Sequence, residues 1–150
     1  MKNLISKETA WKAIKGELTI DEIDDLQGKY PEPDDYYNYD LIHLQIKRYF
    51  DGEIDPKYLA YWANVYSWAI IGSYKYSKVK TKILFEIQDC LDGLSFIDSE
   101  PNKKDTKASV IQFKSRFKEL QEELVAYYQK KGYTTKQFLR KKGMRTRLNS

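Results

Sequence analysis

All seven glycines and all four prolines of this 150-residue chain stand where amphipathic segments begin or stop. The glycines are Gly16, Gly28, Gly52, Gly72, Gly93, Gly132 and Gly143; the prolines are Pro31, Pro33, Pro56 and Pro101. Glycine suits the residue that closes a helix, and proline is excluded from a helix interior. Between these marks apolar residues recur at spacings of three and four, and sustained strand-type alternation is almost absent. The pattern predicts an all-α fold: one domain over residues 1–150, a bundle of about six to seven helices, with 143–150 as a frayed tail.

The first helix is expected over 7–15, capped by Ser6. A short second helix opens on Thr19-Ile20-Asp21-Glu22, a capping box in which Thr19 and Glu22 each bond the other's backbone. Tyr30-Pro31-Glu32-Pro33 reads as an extended linker, because each proline biases its predecessor away from α. The third helix is expected over 35–50, with Leu41, Leu44 and Ile46 facing the core. Asp55 then caps a fourth helix with Pro56 at its first position, and Ile54 and Leu59 are spaced as a hydrophobic staple. That fourth helix, 56–71, is apolar nearly all round, which predicts a central position. A fifth, 78–92, carries Val79, Ile83, Ile87 and Leu91 on one stripe. The longest, 107–131, repeats Val110, Phe113, Phe117, Leu120, Leu124 and Tyr127. This reads as a core-facing helix, since fewer than three heptads argue against a coiled coil. A last short helix is expected from Thr134 or Thr135.

Charge is segregated along this helical frame. From Glu17 to Asp55 twelve acids face three bases, whereas from Pro101 to Ser150 fourteen bases face four acids. The formal net charge of +4 conceals this. Segregated charge bears on partners and association rates more than on fold. The one cysteine, Cys90, cannot form an intramolecular disulfide and reads as a buried structural thiol. With no secretory pattern at the N-terminus, the expected compartment is the cytoplasm. The longest apolar stretch is too short to span a bilayer, so no membrane role is expected.

The chain offers little for catalysis. His43, the one histidine, has Asp40 three residues before it and Lys47 four after, but no nucleophile accompanies it. One histidine and one cysteine do not make a zinc site. Neither the Asp21–Asp25 run nor Asp51-Gly52-Glu53-Ile54-Asp55 has calcium-loop spacing. No phosphate-binding glycine loop or dinucleotide fingerprint is present. No enzyme activity, cofactor or metal is expected.

Two segments read as binding surfaces. In the first, Tyr36, Tyr37 and Tyr39 lie among Asp21, Glu22, Asp24, Asp25, Asp34, Asp35 and Asp40. Tyrosine is a frequent hot-spot residue, and acids around it attract a basic protein while repelling nucleic acid. These ten residues are the candidate contacts for a basic protein partner. The second is the basic C-terminal segment Lys130, Lys131, Lys136, Arg140, Lys141, Lys142, Arg145 and Arg147. It is the alternative site, for nucleic-acid phosphates.

The corner between the third and fourth helices reads Tyr49-Phe50-Asp51-Gly52-Glu53-Ile54-Asp55, followed by Leu59, Trp62 and Ala63. It resembles an element of small helical bacterial proteins that include toxin-immunity proteins. The resemblance covers about fifteen of the 150 residues. It implies a cytoplasmic, non-enzymatic inhibitor that covers the active site of a toxin, here a basic domain such as that of a nuclease.

Overall fold

A computed structural model describes residues 4–73, 81–99 and 101–130. Its elements, in chain order, are β1 (Leu4–Ile5), α1 (Lys7–Ile14), α2 (Ile20–Asp24), β2 (Tyr30–Pro31), α3 (Tyr39–Phe50), α4 (Pro56–Ser73), α5 (Thr81–Leu94), a 3-10 turn (Ile97–Ser99) and α6 (Lys103–Lys130). The protein is an all-α bundle, as the punctuation predicts. The exception is a two-residue parallel pairing, Leu4 with Tyr30 and Ile5 with Pro31. It turns the first half of the expected Tyr30–Pro33 linker into a strand. Two residues are too few to show alternation.

The local signals of the N-terminal half operate as read. Ser6 caps α1 by accepting from the Thr9 amide at 3.2 Å. The Thr19 amide donates to Glu22 Oε1 at 2.9 Å while the Glu22 amide donates to Thr19 Oγ1 at 3.2 Å, which completes the capping box. The Tyr58 amide donates to Asp55 Oδ1 at 2.8 Å, so Asp55 caps α4. Ile54 and Leu59 are both buried in the core.

α4 is the hub. Tyr58, Leu59, Trp62, Val65, Tyr66 and Ile70 are all buried, and the helix packs against α1, α2, α3, α5 and β2. Its polar atoms are spent on neighbouring backbone. Trp62 Nε1 donates to the Ile14 carbonyl at 2.7 Å, and the Tyr58 hydroxyl donates to the Leu18 carbonyl at 2.7 Å. α3 completes this cover: Gln45 Nε2 donates to the Lys15 carbonyl and Arg48 Nη1 to the Gly16 carbonyl. The open carbonyls at the end of α1 are thus satisfied by side chains from two other helices.

Several expectations need correction. α3 begins at Tyr39, capped by Asn38, and not at Asp35. Residues 35–38 are extended because Tyr36 and Tyr37 anchor them into the core. Leu44 is 41% exposed; Ile46 is buried and Leu41 partly buried, as expected, and Ile42 and Gln45 complete the buried face of α3. Gly72 and Gly93 lie inside helices, in the last turns of α4 and α5. At Gly93 a Cβ would stand 2.9 Å from the Phe113 ring, so this glycine allows α5 and α6 to approach closely. α6 starts at Lys103, four residues earlier than expected, because Asn102 caps it by accepting from the Lys104 amide.

Of the repeat on α6, Val110, Phe117, Leu120 and Leu124 are buried, Phe113 and Tyr127 are partly buried, and Tyr128 is buried beside them. The helix packs against α3 and α5. Ile83, Ile87 and Leu91 are buried on α5; Val79, the expected start of that helix at 78 and the expected last helix lie outside the described residues. No helix among the described residues is long and apolar enough to cross a membrane.

Candidate functional site

The ten acidic and tyrosine candidates separate into three groups. Asp21, Asp24 and Asp25 are exposed on α2 and the turn after it. Helical spacing sets them opposite the buried Ile23 and Leu26. None of the three is in an ion pair among the described residues. Glu22 is exposed too, but its carboxylate belongs to the capping box. The Thr19 backbone and side-chain hydrogen bonds hold its pKa below the usual 4.5.

Asp34, Asp35 and Asp40 form a partly buried second group. Asp34 is structural: its Oδ2 accepts from Trp11 Nε1 at 3.2 Å and its Oδ1 from the Asp35 amide at 2.8 Å. One carboxylate oxygen of Asp35 is itself buried. Asp40 stands in the first turn of α3, where a negative charge suits the helix dipole.

The tyrosines correct the expectation of an aromatic contact surface. Tyr36 is 0% and Tyr37 1% exposed. Tyr36 donates from its hydroxyl to the Glu32 carbonyl at 2.7 Å and from its amide to Ser73 Oγ at 3.0 Å. Its ring packs on Trp11, with centroids 5.0 Å apart. The Tyr37 hydroxyl donates to Gln121 Oε1 on α6 at 2.5 Å. The Tyr66 hydroxyl donates to the Tyr36 carbonyl at 2.7 Å and accepts from the Asn38 amide at 2.8 Å. Two core rings and a web of buried hydrogen bonds thus hold residues 34–38 over α4, and neither ring is available to a partner. Only Tyr39 keeps an accessible edge. Burial, and after it the charges of Glu122 and Asp40, raise its hydroxyl pKa above 10.0.

His43 is exposed, with its ring centroid 6.2 Å from that of Tyr39. Cys90 is buried on α5, and burial raises its thiol pKa to about 11. A thiol in that state is a poor nucleophile near neutral pH. Lys130 is exposed at the end of α6, while Lys131, Lys136, Arg140, Lys141, Lys142, Arg145 and Arg147 lie outside the described residues.

The structure adds a second surface that the reading from composition misses. A groove of about 640 Å³ runs between α3 and α6, lined by Tyr39, His43, Phe50, Ile111, Lys114 and Lys118, with Ser115. A smaller hollow of about 250 Å³ continues it past Phe50 to Lys103 and Lys107. Lys103, Lys107, Ile111, Lys114 and Lys118 are spaced by four, four, three and four. That spacing is visible in the sequence and places all five on one stripe of α6.

No protein-family model matches the chain, and neither a curated protein nor a solved structure is found to match it.

Proposed function

We propose that this protein is a non-enzymatic binding module whose acidic α2 surface docks on a basic protein. The observation that carries the reading is the contrast within the acidic segment. Glu22 and Asp34 are committed to the fold, whereas Asp21, Asp24 and Asp25 are exposed together without a cation among the described residues. Unneutralised charge of one sign contributes little to stability but steers a partner of opposite sign.

The resemblance of Tyr49–Ala63 to toxin-immunity proteins narrows that partner to a toxin domain, whose basic active site, that of a nuclease for example, would be covered. Such an inhibitor acts in the cytoplasm. The residues that carry the resemblance build the corner between α3 and α4, so recognition falls to α2. Reversing Asp34 or Asp35 is a poor probe of this role, because Asp34 holds Trp11 and Asp35 is partly buried.

The test is affinity capture from lysate with and without nuclease treatment, followed by binding kinetics of the captured protein at low and moderate salt. A basic protein is expected. D21K/D24K/D25K should slow its association by about tenfold at low salt, with far-UV circular dichroism unchanged. Capture of nucleic acid alone, or an on-rate that the triple reversal leaves unaltered, would refute the proposal.

A further inference from the structure

We infer that the groove between α3 and α6 docks an acidic amphipathic helix of a second protein partner. Its apolar stripe would lie over Phe50 and Ile111, and its carboxylates would meet Lys103, Lys107, Lys114 and Lys118. This surface is distinct from the acidic α2 face and opposite in sign.

The floor of the site is apolar. Phe50 and Ile111 are 36% and 54% exposed, although both are large hydrophobic side chains. Exposed apolar surface rimmed by polar groups marks an interaction site. The rim is cationic. None of the four lysines is in an ion pair among the described residues. Arg116, one face away, is by contrast surrounded by Glu86, Glu119 and Glu123. Glu119 and Glu123 therefore serve the α5 side, and the stripe from Lys103 to Lys118 is positive up to Glu122, one turn beyond it. From Lys103 to Lys118 the stripe is about 22 Å long, which matches about four turns of a docked helix.

Three observations select this occupant. Residues 131–150 contain no acid, so this chain's own C-terminal segment offers the lysines no side-chain carboxylate. The acidic helix of a second copy has already buried its apolar residues, Ile23 and Leu26, and has no stripe to offer. A single nucleic-acid strand is disfavoured at one point. At the Tyr39 end the groove meets Glu122 and Asp40, whose charges are felt by the Tyr39 hydroxyl. A continuous phosphate chain leaving Lys118 would run into them. A peptide of finite length, with its charges patterned, ends before them.

The probe is a fluorescein-labelled sixteen-residue peptide with leucines at helical spacing and glutamates elsewhere. Controls are a scrambled peptide of the same composition and a labelled oligothymidylate of equal length. Fluorescence anisotropy on the full chain reads binding. The designed peptide should bind about tenfold more tightly than the scrambled one. K107E/K114E and, separately, Ile111→Asp should each weaken it by about tenfold, with circular dichroism unchanged. The two variants lie on the exposed side of α6, so one reports independently of the other. Equal binding of the two peptides, no change in either variant, or a greater loss of oligothymidylate binding than of peptide binding in K107E/K114E would overturn the inference.

Discussion

Gly16 shows how much one position can carry. It has φ +74°, a left-handed conformation that closes α1. A side chain there would also collide with Gln45 and Arg48, the residues that cover the end of α1; the Gln45 Cδ atom would be 2.9 Å away. Gly28 has nearly the same backbone, φ +77°, with nothing within 4 Å of its missing Cβ. The pair separates strain from crowding. Gly28→Ala should cost about 1–2 kcal/mol, the usual penalty for a left-handed non-glycine residue. Gly16→Ala should cost about 1–3 kcal/mol more, because the buried Gln45 and its partners must also give way. Urea unfolding followed by circular dichroism measures both, and equal losses would show that the Gln45–Arg48 cover yields freely. The sequence marks both glycines as helix ends, but it does not distinguish them. Gln45 and Arg48 lie about thirty residues downstream, and nothing local ties them to α1.

At the scale of elements, what was legible was local. The capping box of α2 and the Asp55–Pro56 start of α4 depend on residues three or four apart, so sequence and structure agree on them. Asp55→Ala should lower stability by about 1 kcal/mol, and Asp55→Ser should restore most of it, because serine also accepts from the helix amides. Thermal unfolding of the two variants checks this. A loss common to both would assign the effect to something other than the cap. The segment before α3 was not legible, for the opposite reason. Tyr36 and Tyr37 look like exposed aromatics among acids, yet their partners are Trp11, Ser73 and Gln121, contributed by α1, α4 and α6. A short extended connector has no period to reveal which side is buried. The stripe on α6 was legible in principle. Lys103, Lys107, Ile111, Lys114 and Lys118 share one face by spacing alone, but the concentration of charge beyond Lys130 draws attention away from it. That the stripe borders a groove follows only from the packing of α3 on α6.

For the whole molecule, two surfaces of opposite sign are held on a core stitched together by buried hydroxyls. α2 packs against α4, while α6 packs against α3 and α5. Between them Tyr36, Tyr37 and Tyr66 bind the 34–38 connector to the bundle, and burial raises all three hydroxyl pKa values well above 10.0. Cys90 is raised from 9.0 to about 11, also chiefly by burial. In each case the folded state retains a proton that the unfolded chain releases, so the unfolded chain binds fewer protons at alkaline pH and stability falls as pH rises. The contribution of these groups is fully present below about pH 9. Cys90 begins to withdraw its share between pH 9.0 and about 11, and the tyrosines add theirs above 10.0. The midpoint of urea unfolding should therefore fall steadily from about pH 9 upwards. Cys90→Ala, whatever it costs at neutral pH, should flatten the first part of that fall. Absorbance at 295 nm should show Tyr36, Tyr37 and Tyr66 ionising together with the loss of helical signal, because their protons leave only when the connector leaves the core. A midpoint that rises between pH 9 and 10.5, or tyrosinate absorbance complete while the helical signal persists, would mean that these hydroxyls are not the fastening that joins the connector to α4 and α6.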